Sequence, residues 1–259
     1  FDRTRAIGVE FVSNGSRRRV HAECEVILSG GTINSPQLLM LSGIGPADEL
    51  RRVGIDVVAD LAGVGGNLQD HLIGPLICEC PRRDTLESAP GLMNLARFLI
   101  RGSGPLTSPC AEGGGFVRTD SSLRAPDLQF HFAPGYWLEH GFVVPPGHGV
   151  SLAPTLLCPK SRGHIRLKSA DPVEPPRIIP NYLSDSEDLL TLVRGMELAR
   201  DIINASPFDS FRGKELFPGR DAKTVAEISD RLRNTVETIY HPVGTCKMGV
   251  DGDSVVDPE

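Results

Sequence analysis

The sequence is short of the features that mark several large classes. No two cysteines stand as Cys-x-x-Cys, and no two histidines as His-x-His or His-x-x-x-His, so the spacing gives no metal framework and a metal enzyme is not the expectation. No apolar run approaches the about 20 residues of a membrane-spanning helix. There is no excess of basic charge: 27 Lys and Arg face 33 Asp and Glu, a net charge of −6. That balance argues against nucleic acid or an anionic membrane as partner. Six cysteines in 259 residues are too sparse for a disulfide framework, so a reducing, cytoplasmic compartment is the expectation. The chain opens on Phe1 without an initiator Met or a signal-peptide pattern, and it contains no internal repeat or low-complexity segment.

Glycine and proline are plentiful instead, 28 and 21 residues respectively, well above the usual about 12% for the pair. Apolar runs lie between them, so they mark turns and not disorder. Val9 and Phe11, the Asn14-Gly15 pair and the return from Arg17 to His21 predict a hairpin, with Arg17-Arg18-Arg19 on its solvated face. Val26-Ile27-Leu28 reads as a short buried strand ending in Ser29-Gly30-Gly31. Ser35 as N-cap and Pro36 at the first helical position then predict a helix that Gly43 stops. A second short helix is expected from Pro46 to Gly54. A strand, a glycine turn and a helix in succession suit the edge of an α/β nucleotide-binding domain.

The middle of the chain has a different texture. Leu128, Phe130 and Phe132 alternate with Gln129 and His131, and a longer apolar run covers Val150 to Leu157. Ile165 and Leu167 alternate after a Lys-Ser-Arg-Gly turn, and the three segments together predict an antiparallel sheet. Ser184 and Glu187 read as a capping box before a helix whose apolar face runs from Leu189 through Met196 to Ile202 and Ile203. Thr224 and Glu227 cap a second, with Val225, Ile228 and Leu232 on its face. Cys78 and Cys80 read as small buried hydrophobes. The fold class expected is α/β plus antiparallel β.

The most specific string is Gly31-Thr32-Ile33-Asn34-Ser35-Pro36-Gln37-Leu38-Leu39, continuing through Ser42-Gly43-Ile44-Gly45-Pro46. It closely resembles a signature of the glucose–methanol–choline (GMC) flavoprotein oxidoreductases. Gly63-Val64-Gly65, Asn67-Leu68-Gln69-Asp70-His71 and Ser161-Arg162-Gly163 resemble later loops of that family. Tyr240-His241-Pro242-Val243-Gly244-Thr245-Cys246 resembles its active-site string, and Val255-Val256-Asp257-Pro258 follows in order. The likeness covers essentially the whole chain. Departures are Gly31 where Ala is common, Pro109 where related alcohol dehydrogenases tend to have Asn, and Gly66 where a larger polar residue is usual. The family's GxGxxG fingerprint is missing, as is the segment after Asp257 to Glu259 that carries a second catalytic Asn or His. The expectation is therefore an internal piece of a longer flavoenzyme that neither binds its cofactor tightly nor turns over by itself.

The resemblance implies FAD as cofactor, with Ser29, Gly30, Gly31 and Tyr240 against it, and His241 as the catalytic base. The physical reading of His241 agrees. Pro242 holds its backbone extended, Gly244 permits a tight turn, and an imidazole can take a proton near neutral pH. Without the resemblance such a histidine reads as a structural loop residue. Two further residues are expected at the substrate. His131 points away from the Phe130/Phe132 face, and Glu112 sits in a glycine-flanked loop where a carboxylate can approach a ligand. Asp70 and His71 are expected to hold the glycine-rich loop and do no chemistry. Residues 1–75 would complete an FAD-binding domain, 76–235 would form a substrate domain, and 236–259 would return to the flavin. The reaction implied is oxidation of a primary alcohol or choline-like substrate, with oxygen or a quinone as the open choices of electron acceptor. A lyase or decarboxylase on the same fold, and a non-catalytic segment, are the alternatives.

Overall fold

Asn14 and Gly15 both take positive φ, 51° and 74°, the mirror-image turn whose twist suits a two-residue hairpin. They join β1 (Gly8–Ser13) to β2 (Ser16–His21) in register, as the sequence predicts. In this computed structural model, which describes residues 1–259, the hairpin begins the first of two compact units. That unit comprises Phe1–Gln69, Arg162–Asn181 and Pro242–Glu259; the second comprises Asp70–Ser161 and Tyr182–His241. Residues 162–181 thus pack with the first unit although they lie between two stretches of the second in sequence. No helix is long and apolar enough to cross a membrane.

In the first unit, α1 (Gly31–Leu41) is followed by β3 (Ile44–Gly45), α2 (Ala47–Arg52) and β4 (Ala59–Asp60), with β3 and β4 pairing in parallel. The strand expected at Val26-Ile27-Leu28 does not form. No neighbouring strand supplies a ladder for it, and Ile27 is 79% exposed. The first helix starts at Gly31, five residues before the expected Pro36. Pro36 is therefore interior, where its missing N–H would orphan the carbonyl of Thr32. Thr245 corrects this: its Oγ1 donates to Thr32 O at 2.5 Å, while Thr32 Oγ1 donates to Pro242 O at 2.7 Å. The core of this unit is small and discontinuous in sequence. Met40, Leu50, Val64 and Leu68 meet Ile165 and Leu167.

The second unit is built on a seven-stranded antiparallel sheet. Its strands are β5 (Leu72–Ile73), β6 (Leu76–Glu79), β7 (Gly113–Val117), β8 (Leu128–Ala133) and β9 (Gly149–Leu156), then β12 (Glu215–Phe217) and β13 (Glu237–Thr238). Between β9 and β12 in sequence, β10 (His164–Arg166) pairs only with β11 (Arg177–Ile179), in the first unit. Ile165 and Leu167 alternate as expected, but they do not extend the large sheet.

β9 is central, flanked by β8 on one side and by β5 and β6 on the other, and all eight of its residues are buried. Period two sorts them. Val150, Leu152 and Leu156 join the main core with Leu128, Phe130 and Leu72. Ser151, Ala153 and Thr155 face the other way. Two further helices, α3 (Leu92–Arg101) and α4 (Ser186–Ile203), precede α5 (Val225–Arg233). The core face of α4 carries Leu189, Leu192, Val193, Met196 and Ala199, all buried; Ile202, expected there, is 38% exposed. Asp185, not Ser184, caps this helix, because its carboxylate accepts from Glu187 N at 2.9 Å. The Thr224–Glu227 capping box forms as expected, although Val225 stays exposed. Cys78 and Cys80 are buried apolar residues, and burial pushes the Cys78 thiol up to about 11.

Candidate active site

The face of the large sheet turned away from the main core forms one wall of a cavity of about 220 Å³. The wall follows from strand periodicity. Ile73 of β5, His131 and Ala133 of β8, and Ser151 and Ala153 of β9 each follow a residue that belongs to the core or packs against it: Leu72, Phe130, Phe132, Val150 and Leu152. The small side chains of Ala133, Ser151 and Ala153 leave room for a ligand. Cys110 and Ala111 close one side ahead of the Gly113-Gly114-Gly115 start of β7. Gly114 is required there, since a Cβ would lie 2.5 Å from Phe130 O. Trp137 lines the cavity too, and Ile239, Tyr240 and His241 complete it.

His241 is held by Asp70. The segment leaves β13 through Tyr240, which adopts φ of 62°, a left-handed conformation that costs a non-glycine residue about 1–2 kcal/mol. Hydrogen bonds fix this turn. Asp70 Oδ1 accepts from His241 N at 3.0 Å, and Asp70 Oδ2 accepts from Thr238 Oγ1 at 2.5 Å and Tyr182 OH at 2.6 Å. Thr238 Oγ1 in turn accepts from Tyr240 N at 2.9 Å. Burial and the Asp70 carboxylate push the Tyr182 hydroxyl up to about 12, so it stays a donor across the working range. The expectation that Asp70 braces the glycine-rich loop is corrected: its carboxylate organises the turn that presents His241.

Three imidazoles gather here. The His71 ring meets that of His241 edge-on, with centroids 5.5 Å apart. His131 Nδ1 lies 3.1 Å from Thr155 Oγ1 on the adjacent strand, which fixes the ring plane. Burial lowers the pKa of both His71 and His131, and the other imidazoles lower them further. Both are therefore held toward the neutral form.

Of the residues expected at the substrate, His131 lines the cavity, on the side that alternation predicts. Glu112 does not. Its side chain is exposed and its backbone N–H donates to Phe132 O at 2.9 Å, which ties the residue to the sheet edge beside Ala111. Ser29, Gly30 and Gly31 are exposed at the start of α1, and Tyr240 is 65% exposed beside His241. Sequence reasoning missed Thr155, Tyr182 and Thr238 as supports, and Trp137 altogether. The one signal available was polarity out of place: Ser151 and Thr155 interrupt the apolar run of β9 at alternate positions.

Comparison with known proteins agrees with this architecture. Two family models, both described as GMC oxidoreductase, match residues 1–73 and 159–259. The chain is 44% identical over its whole length to an alcohol dehydrogenase [acceptor] of Pseudomonas putida, covering 48% of that protein. It is 43% identical to the mitochondrial choline dehydrogenase of Homo sapiens, covering 45% of it. Among solved structures it resembles pyridoxine 4-oxidase of Mesorbium loti, at 28% identity and a TM-score of 0.84 over 98% of this chain and 47% of the other. A formate oxidase of Aspergillus oryzae matches at 27% identity and a TM-score of 0.87, over 99% of this chain and 51% of the other. The chain spans about half the length of these relatives.

Proposed function

Because the chain belongs to the GMC oxidoreductase family, we propose that its cavity is the alcohol site of an FAD-dependent dehydrogenase or oxidase that converts a primary alcohol to an aldehyde. The first unit then contributes to the flavin-binding domain and the second forms the substrate domain. The observation that carries the reading is His241, anchored by Asp70 at the mouth of an apolar cavity beside two imidazoles held toward the neutral form.

The chain's own residues fit a flavin dinucleotide. No side chain caps the N-terminus of α1, and its first turn holds no acidic residue, so its free N–H groups suit an anionic phosphate. A Cβ on Gly31 would meet nothing within 4 Å, so the backbone there is open to approach, with Ser29 and Gly30 alongside. In the second unit, Tyr240 offers an exposed aromatic ring next to His241. FAD, when bound, supplies the two-electron acceptor.

His241 accepts the hydroxyl proton of the alcohol at its imidazole as the carbinol carbon gives up hydride. The products would be an aldehyde and a proton held on His241, with the hydride's electron pair passing to FAD when it is bound. The Asp70 bridge keeps the ring in one place, which is what general-base catalysis needs. The apolar wall of Ile73, Ala133 and Ala153 keeps water from competing for the imidazole.

The test is anaerobic flavin reduction by a primary alcohol in the full-length, FAD-loaded protein. His241→Ala should slow it by about 10²–10⁴-fold while bound flavin is retained. Reduction at close to the original rate, with flavin still bound, would show that His241 is structural.

A further inference from the structure

A second cavity, of about 440 Å³, lies in the second unit, between the end of α4, β12 and the turn that leads into α5. It shares no lining residue with the first. Four cations border it, Arg200, Arg212, Arg220 and Lys223, against one carboxylate, Glu215. In a chain of net charge −6 that is a local reversal of sign. The buried Cys78 thiol, which also lines the cavity, feels Glu215 and all three guanidinium groups, so these charges converge on one place. Two of the cations form a frame. Arg200 donates to Glu215 Oε1 from Nη2 at 2.7 Å and from Nε at 3.2 Å, to Ala222 O at 2.8 Å and to Gly219 O at 3.0 Å. It thereby pins both ends of the turn that Ala222 N closes onto Gly219 O at 3.0 Å. Arg212 donates to Ile203 O, the final carbonyl of α4, at 3.1 Å, and also to Asp209. The other two cations are free. Arg220 sits in the pinned turn and Lys223 directly follows it, and neither side chain makes a hydrogen bond or ion pair. The carboxylates nearby are engaged elsewhere, Asp221 by Arg231 and Glu227 by the N–H groups of Lys223 and Thr224. Like charges gathered around one concavity repel unless an anion balances them.

We propose that this cavity is a second binding site, which takes a doubly charged phosphate group, either the free ion or a small monoester. The inference does not depend on the alcohol reading. Arg220 offers a planar fork that matches two phosphate oxygens, and Lys223 a point charge for a third. A carboxylate, with two oxygens and a single charge, leaves one of the two cations unbalanced. The frame sets where both side chains begin. Gly219 takes φ of 95°, and a Cβ there would lie 2.6 Å from Asp221 Oδ1, so the turn is restricted before any ligand arrives. Asn204 lines the cavity as well and brings an amide donor without further charge. The volume lies in the range of small-molecule sites.

The experiment is calorimetric titration of the full-length, FAD-loaded protein, in which the cofactor already fills its own phosphate site. Inorganic phosphate and glycerol 3-phosphate are the ligands, with sodium chloride at matched ionic strength as the control. At least one of the two should bind saturably, with a Kd of about 1 mM or tighter. Tighter binding of the free ion assigns the site to phosphate itself, and tighter binding of the ester assigns it to a phosphorylated metabolite. Absence of saturable binding by either ligand overturns the proposal without recourse to any variant. Arg220→Gln combined with Lys223→Gln should weaken binding by roughly tenfold or more. Both side chains are exposed and hold no other group, so the melting temperature without ligand should stay that of the original. Arg124→Gln combined with Lys168→Gln removes the same charge from two exposed positions outside the cavity and should leave the affinity nearly unchanged. Equal losses in the two double variants would reduce the binding to net charge and overturn the proposal, as would no loss in the first. Saturating ligand should also raise the melting temperature of the original and not that of the Arg220 and Lys223 variant. A rise of the same size in both places the phosphate elsewhere and overturns the assignment.

Discussion

The two units are held together in different ways. The second has one broad core, where α4 and α5 lie against alternate residues of a seven-stranded sheet, and long stretches of sequence report it by period alone. The first gathers its few buried side chains from three separate stretches of chain, between strands of two or three residues. Individual polar bonds replace ladder and layer there. The carbonyl freed by Pro36 is taken up by Thr245, and Gly244 at φ of 98° lets the chain pass where a Cβ would lie 2.4 Å from Asn67 O. A large core tolerates imprecise detail because many contacts share the work, whereas a stitched unit depends on each stitch.

The largest expected effect sets the two cores against each other. Leu192 and Leu167 are both buried, in the main core and the small one respectively. Leu192→Ala should cost about 4 kcal/mol and Leu167→Ala about 2, since the range for such changes is set by how far the surroundings collapse. Urea denaturation, followed by Trp137 emission and by far-UV circular dichroism, measures both. Equal costs would erase the distinction between the cores. Next in size is Thr245→Val, which leaves the Thr32 carbonyl without its donor inside the first unit. It should cost about 1–3 kcal/mol although it removes only one hydroxyl. A change below about 0.5 kcal/mol would show that the stitch over Pro36 is dispensable.

The smallest effect is a difference in acid sensitivity. Burial lowers the pKa of His71 and His131 in the second unit below the ordinary 6.5, and does the same to His164 in the first. The unfolded chain then binds protons that the folded chain refuses, so stability is full above about 6.5 and falls as pH drops toward the lowered values. Melting temperatures between pH 7.5 and 5.0 should decline, and His131→Gln should flatten the decline. Parallel curves would mean that neutral imidazoles at the cavity contribute nothing to the balance.

What the sequence disclosed follows the same division. The alternation at Leu128, Phe130 and Phe132 located β8 and put His131 on the correct face, because a half-buried strand must alternate. In the first unit, Val26-Ile27-Leu28 read as a buried strand because apolarity was the only cue, and no ladder exists to receive it. Ser35 looked like a cap because Pro36 followed it, and only Thr245, 213 residues from Thr32, shows why the helix begins earlier. The support of His241 was hidden for the same reason. Asp70 lies 171 residues from His241 and 112 from Tyr182, and no local pattern reports a bond of that span. Trp137 could not be singled out at all, since what marks it is its place on the cavity wall in three dimensions.

The two-sided burial of β9 makes this strand a built-in separator for mutational scans. Even-numbered positions from Val150 to Leu156 should register as changes in expression and heat tolerance, and odd-numbered positions from Ser151 to Thr155 as changes in which compounds are consumed. A library confined to Ser151, Ala153 and Thr155 would therefore explore new chemistries while leaving the hydrophobic layer beneath untouched, and a catalogue of its survivors would show a beat of two residues along a single eight-residue segment.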